Sequence, residues 1–77
     1  MVVNRPDWPE KVKRHLKAEL KRKDVSYSKL AELLKDQGFE ETEASVANKI
    51  SRGAFTAAFF LSTLTVIGAE MVHVKHV

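Results

Sequence analysis

With 77 residues, the chain has room for one domain, because a chain this short buries only about 60% of its unfolded surface and cannot divide its apolar residues between two cores. It contains no cysteine, which excludes disulfides, thiol catalysis and cysteine metal sites. Thirteen lysines and arginines against ten acidic residues give a net charge of +3, which permits a polyanionic partner without requiring one.

Several classes of function have no signature in the chain. The first residues lack the pattern of a secretory signal, and no apolar run approaches the roughly 20 residues of a membrane span, so we expect a cytoplasmic protein without a membrane segment. No Ser-His-acid arrangement and no Gly-rich phosphate loop occurs, so neither an enzyme nor a cofactor or small-molecule substrate is predicted. His73 and His76 have no further ligand nearby, and no metal site is predicted.

Residues 7–10 are typical of a helix start. Asp7 is a candidate cap, Pro9 suits the first turn, and Glu10 has the spacing of a capping box. Apolar residues then recur at every fourth position and predict a narrow stripe facing the core, formed by Trp8, Val12, Leu16 and Leu20. His15 at the border of this stripe is interpreted as a partly buried packing residue. The opposite side is basic, and we interpret it as solvent-facing, with phosphate contact as the alternative.

The second helix is predicted to begin after Ser26, its N-cap, with Val25 and Leu30 at the spacing of a hydrophobic staple. Gly38 is expected to end it. Its core face is predicted to consist of Leu30, Ala31, Leu33 and Leu34.

A third helix is predicted from its cap Thr42 to about Ser51, closed by Gly53. Its inward side is expected to hold Val46, Ala47 and Ile50. On the other side, the side chains of Ser45, Asn48 and Arg52 fall within about 60° of each other, with Lys49 adjacent. Hydroxyl, amide and guanidinium groups on one helix face can bond to base edges or phosphates.

The fourth helix begins with the cap Thr56 and a staple from Phe55 to Phe60, and Gly68 is expected to end it. Its core stripe is predicted as Phe60, Leu64 and Ile67. A second apolar stripe then remains, which predicts a homodimer interface; the alternative is that the Trp8 end of the first helix covers it. The interface residues would be Phe59, Thr63 and Val66, with Val72 and Val74 of a tail that forms a short strand or is disordered.

The order of these elements from Val25 to Gly68 resembles the lambda-repressor-like, or Cro and XRE type, helix-turn-helix family. The matching motifs are Val25-Ser26 at the start of the second helix, its Leu30-Ala31 pair, the closing Ile50-Ser51-Arg52-Gly53, and the packing helix from Phe55 to Gly68. The stretches "KAELKRKDVSYSKLAELL", "ANKISRG" and "FTAAFFL" are more similar still to a family of small bacterial proteins of unknown function with a helix-turn-helix-like pattern.

This resemblance implies an all-α, four-helix, lambda-repressor-like domain with a core over residues 7–68 and a tail over 69–77. It also implies sequence-specific binding of double-stranded DNA by a small bacterial transcriptional regulator. The third helix would then present Ser45, Asn48, Lys49 and Arg52 to the groove, and the start of the second would place Tyr27, Ser28 and Lys29 near phosphates.

Four features depart from the family pattern, of which two are single residues: Tyr27 in place of a glutamine at the start of the second helix, and Ser51 in place of an acidic residue in the closing motif. Several additional residues lie between Ala31 and Gly53, so either the second helix is longer than usual or the turn after it is not the tight one. In addition, an acidic cluster precedes and begins the third helix, formed by Glu40, Glu41 and Glu43. These carboxylates suit a helix N-terminus but would face phosphates. The alternative function is therefore a protein-interaction adaptor that keeps this fold without binding DNA.

Overall fold

A computed structural model describes residues 7–69 together with Val72, Lys75 and Val77. These residues contain no strand, and the prediction of an all-α, four-helix fold is confirmed. Val72 lacks regular secondary structure, and Val74 of the predicted tail strand lies outside the described residues. The helices are α1 (Trp8–Arg22), α2 (Tyr27–Asp36), α3 (Glu43–Arg52) and α4 (Ala57–Val66).

Hydroxyl side chains begin three of the four helices, as predicted. The oxygens of Ser26, Thr42 and Thr56 each accept a hydrogen bond of 3.1 Å from the backbone N–H three residues later. At α3 the cap is reciprocal, because Ser45 Oγ accepts the backbone N–H of Thr42 at 2.8 Å. These bonds satisfy N–H groups that the first turn of a helix otherwise leaves without partners.

The capping box predicted at the start of α1 is wrong. Asp7 is the N-cap residue, but its side chain makes no capping hydrogen bond. Its backbone, at φ −97° and ψ 58°, is not in the extended conformation that turns a capping side chain back over the first turn. Glu10 pairs instead with Lys13 at 3.2 Å.

Residues with left-handed backbone conformation end the helices. Gly38, Gly53 and Gly68 end their helices as predicted, each with positive φ, and Asp24, at φ 57°, takes the same role after α1. Behind Gly38 the N–H of Phe39 donates to the carbonyl of Leu34 at 3.0 Å, the bond typical of a Schellman motif. These stops fix where each connection leaves its helix.

The connection between α2 and α3 decides one of the alternatives that the sequence left open. The helix α2 has ten residues and ends at Asp36. Residues 37–42 then form the connection to α3, which begins at Glu43. The additional residues therefore lie in the connection, which is longer than the three or four residues of a standard helix-turn-helix turn.

The core lies between the four helices, since α1 and α2 each pack against both α3 and α4. Leu33 and Ala47, which were predicted to face the core, are half-buried, as is His15. Every helix contributes buried apolar side chains, and the fully buried ones come from α1, α2 and α3: Leu16, Leu30, Leu34, Val46 and Ile50.

The prediction that Trp8 faces the core is wrong, because its side chain is 45% exposed. Lys11 Nζ lies 4.7 Å from the centre of its ring. The first turn of α1 is held instead by backbone contact: a Cβ built on Gly53 would stand 2.2 Å from the carbonyl oxygen of Pro9. The close approach of Pro9 to Gly53 positions the start of α1, and Trp8 projects into solvent.

The predicted orientation of α4 is wrong in part: Leu64 and Ile67 are buried as predicted, but most of the stripe assigned to an interface is buried as well. Phe59 is 2% and Thr63 0% exposed, so both lie in the core of a single chain and are not available as an interface. Phe60, predicted as core, is half-buried, although the staple is confirmed by a stacking distance of 6.0 Å between the rings of Phe55 and Phe60. The large apolar side chain that α4 exposes is Leu61.

The reason for this error is that α4 carries no charged residue on any side. A helix that is apolar all round gives no periodicity by which to choose its buried face. Contacts with α1 and α2 make that choice, and they leave the hydroxyl of Thr63 buried without a hydrogen-bond partner.

Candidate nucleic-acid interface

Two of the predicted DNA-binding side chains lie on the exposed side of α3. Asn48 and Arg52 are exposed and one helical turn apart. Within residues 7–69 neither side chain takes part in a hydrogen bond or an ion pair. An amide offers a donor and an acceptor, and a guanidinium offers a fork of donors, so this pair can hydrogen-bond to base edges or phosphates.

Ser45 and Lys49, the other two predicted side chains on α3, are bonded to Glu41. Ser45 Oγ donates to Glu41 Oε1 at 2.7 Å, and Lys49 Nζ pairs with the other carboxylate oxygen. The Glu41 side chain is only 5% exposed, whereas that of Lys49 is 43% exposed. Lys49 Nζ also lies 5.1 Å from the ring centre of Phe59, which links the network to α4. Ser45 and Lys49 are therefore both bonded to Glu41, whereas Asn48 has no such bond among residues 7–69.

The network changes the titration of Glu41. Burial raises the pKa of this carboxyl group, but the hydrogen bonds from Lys49 and Ser45 and the positive charge of Lys49 outweigh the burial. The pKa of Glu41 therefore lies below its ordinary value of 4.5. The ionised carboxylate is the form that holds the start of α3 to its second turn.

This shift leads to a prediction about pH. Because the pKa of Glu41 is lower in the folded chain, the carboxylate stabilises the fold above pH 4.5, and that contribution is lost as the pH falls through the lowered value. We expect Glu41→Gln to lower the free energy of unfolding by about 1 kcal/mol at neutral pH, a modest effect because Lys49 is partly solvated. Urea unfolding across the acid range should show this difference closing below pH 4.5.

Glu43→Gln is the matched control, because Glu43 is exposed and within the described residues has no ion pair. A Glu41→Gln difference that persisted unchanged in acid would show that the carboxylate charge does not stabilise the fold.

The predicted phosphate contacts at the start of α2 differ in exposure. Ser28 and Lys29 are exposed, and Lys29 Nζ lies 3.8 Å from Glu32. Tyr27 is half-buried and packs against the core. Tyr27 also borders a depression of about 280 Å³ that it shares with Lys17 and Lys21 of α1. The structure thus brings the start of α2 beside two lysines that sequence reasoning had assigned to solvent.

The acidic cluster divides into two kinds of residue. Glu40 and Glu43 are exposed, while the buried carboxylate of Glu41 is bonded to Lys49 and Ser45. Sequence reasoning grouped the three and missed the role of Glu41. Spacing along the chain could not have shown it, because Glu41 precedes the extended cap residue Thr42 and helical spacing does not apply to it.

Other kinds of site find no support in the described part of the chain. No group of three or more metal-ligating side chains is brought together there, and His73 and His76 lie outside it. The helices that the structure describes include none of sufficient length and apolarity to span a membrane.

Comparison with known proteins gives a family but no activity. No curated protein and no solved structure matches the chain significantly. Residues 8–72 match a family described as "Domain of unknown function (DUF6471)", and this stretch contains all four helices. Since the match extends over most of the 77 residues, the chain belongs to the DUF6471 family of domains of unknown function.

Proposed function

We propose that the protein binds double-stranded DNA in a sequence-dependent way, as a small transcriptional regulator of the lambda-repressor-like helix-turn-helix type. The observation that carries the proposal is the pair Asn48 and Arg52, exposed one turn apart on α3 without partners among residues 7–69. Bidentate contacts from an amide to adenine and from a guanidinium to guanine are common forms of base recognition. The packing of α3 against α1 and α2 holds this pair on a rigid element.

The test begins with selection of bound sequences from a random DNA pool. Asn48→Ala should then weaken binding to the selected site by about 1 to 3 kcal/mol and change binding to random DNA little, because a base contact is lost and no phosphate contact is. Fluorescence anisotropy with both duplexes measures the difference. Equal losses on the two duplexes would remove Asn48 from the base-contacting set.

Lys49→Ala is an informative control for this experiment. Since the charge of Lys49 is already paired with Glu41, its removal should reduce stability more than DNA affinity. A folded sample that binds no duplex at low salt would contradict the DNA proposal altogether.

We also propose that the protein acts as a homodimer, so that two copies of α3 meet two half-sites about one helical turn apart. With Phe59 and Thr63 in the core, the surface available on α4 is its exposed side. That side consists of Leu61, which is 57% exposed, the small residues Ala57 and Ala58, and the polar Thr65. An uncharged helix face lets two positively charged chains meet without burying like charges.

A protein-interaction adaptor is the second candidate, favoured by the exposed carboxylates of Glu40 and Glu43 at the start of α3. Like charges near phosphates weaken DNA binding. If Glu40→Gln with Glu43→Gln strengthens binding to random DNA, these residues lie near the phosphates. If the double change leaves DNA affinity unaltered and removes binding to a basic protein, the adaptor is favoured.

A further inference from the structure

The positive charge of this protein is concentrated in one helix. Residues 8–22, which form α1, contain six basic and two acidic residues and therefore carry a net charge of +4. The whole chain carries +3, so all its other residues together are net negative by one charge. The segment 40–52, which contains α3, has three acidic and two basic residues. An attraction for polyanions must therefore come mainly from α1.

Two of the six cations of α1 are in ion pairs, three are exposed without one among the described residues, and the half-buried Lys11 lies over the ring of Trp8. Lys13 pairs with Glu10, and Arg22 pairs with Glu19. Arg14, Lys17 and Lys21 are exposed and have no ion pair within the described residues. We call these three residues the basic flank. At 1.5 Å per residue, their backbone positions extend over about 10 Å of one side of the helix.

The basic flank continues towards the start of α2. Lys17 and Lys21 border the depression of about 280 Å³, whose other wall includes Ser26 and Tyr27. No carboxylate lines this depression among the described residues. It has room for a phosphate group close to two lysines, and the partly buried Tyr27 adds an aromatic wall.

The composition of the flank selects the class of partner. A protein partner needs large apolar side chains at the centre of an interface, and the exposed residue among these three cations is Ala18. A nucleic acid needs no apolar centre, because release of counterions from its phosphates supplies the binding free energy. The three cations have no ion pair among the described residues and no large apolar side chain between them, so they fit a nucleic acid and not a protein partner.

We infer that the basic flank of α1 binds the phosphodiester backbone of nucleic acid irrespective of base sequence. This inference goes beyond the proposed function, since such binding does not require α3 to recognise any base. It also explains how a chain with carboxylates at the start of α3 could bind nucleic acid at all.

The test compares two triple variants of the full chain that change the net charge equally, from +3 to zero. The first is Arg14→Gln, Lys17→Gln and Lys21→Gln. The second is Lys23→Gln, Lys35→Gln and Lys75→Gln, three exposed cations outside the flank. Fluorescence anisotropy with a random-sequence DNA duplex and an RNA duplex, over about 50 to 200 mM salt, measures the slope of log affinity against log salt.

Each phosphate contact contributes about 0.9 to this slope, so the flank variant should lose about 2 to 3 from its magnitude and bind at least tenfold more weakly at the low-salt end. The control variant should keep most of the slope. Equal losses in both variants, or no loss in the flank variant, would overturn the inference.

Two further measurements keep the inference separate from the proposed function. Asn48→Ala should retain the wild-type slope on random DNA, so absence of sequence selection would leave the inference standing. If the triple variant does not fold, the single changes Lys17→Gln and Lys21→Gln should each lower the slope by about 0.9. If the flank variant binds both duplexes more weakly, the ligand is the phosphodiester backbone that DNA and RNA share. If it loses affinity for only one duplex, that nucleic acid is the ligand.

Discussion

Gly53→Ala is expected to destabilise the fold by about 3 kcal/mol or more, because two independent penalties coincide at this position. The residue has φ 64°, a conformation that costs a residue with a side chain about 1 to 2 kcal/mol. A Cβ there would also stand 2.2 Å from the carbonyl oxygen and 2.8 Å from the carbonyl carbon of Pro9. Backbone atoms cannot rotate away, so the start of α1 would have to separate from the end of α3.

Gly38→Ala is the matched control for this prediction. Gly38 also has positive φ, at 94°, but nothing lies within 4 Å of a Cβ built on it. Its substitution should cost about 1 kcal/mol, from backbone conformation alone. Urea unfolding of both variants measures the difference, and similar losses would contradict the contact between Gly53 and Pro9.

Phe59→Ala should cost about 3 to 5 kcal/mol, because it removes a ring that is 2% exposed and leaves a cavity in the core. The ring centre of Phe55 lies 5.3 Å from that of Phe59, and Lys49 Nζ lies 5.1 Å from it, so both neighbours lose a contact. Urea unfolding of the monomer at low protein concentration provides the measurement. A decrease of less than about 1 kcal/mol in the free energy of unfolding would contradict the burial of Phe59 in the core.

Leu61→Asp is the counterpart on the exposed side of the same helix. Because Leu61 is 57% exposed, we expect this change to leave the stability of the single chain within about 0.5 kcal/mol of the original. If the proposed homodimer forms through α4, sedimentation equilibrium should show that Leu61→Asp dissociates it. A dimer that survives this change would place the interface elsewhere.

Local sequence signals predicted most of the secondary structure. The hydroxyl caps Ser26, Thr42 and Thr56 and the glycine stops act within a few residues, and the structure has each of them in its predicted role. These interactions depend on neighbours in the chain, so a single sequence contains the information that they require. The third helix has a clear apolar side as well, and its outward pair of Asn48 and Arg52 was predicted from spacing alone.

Long-range contacts decided the rest. Which side of the uncharged helix α4 is buried depends on α1 and α2, and so the sequence pattern assigned Phe59 and Thr63 to the wrong face. Trp8 is exposed because the approach of Pro9 to Gly53, residues far apart in the chain, sets the position of the first turn. The pairing of Glu41 with Lys49 likewise requires the segment before α3 to fold against its second turn. Periodicity states which residues share a side of a helix, but only packing between helices decides which side is covered.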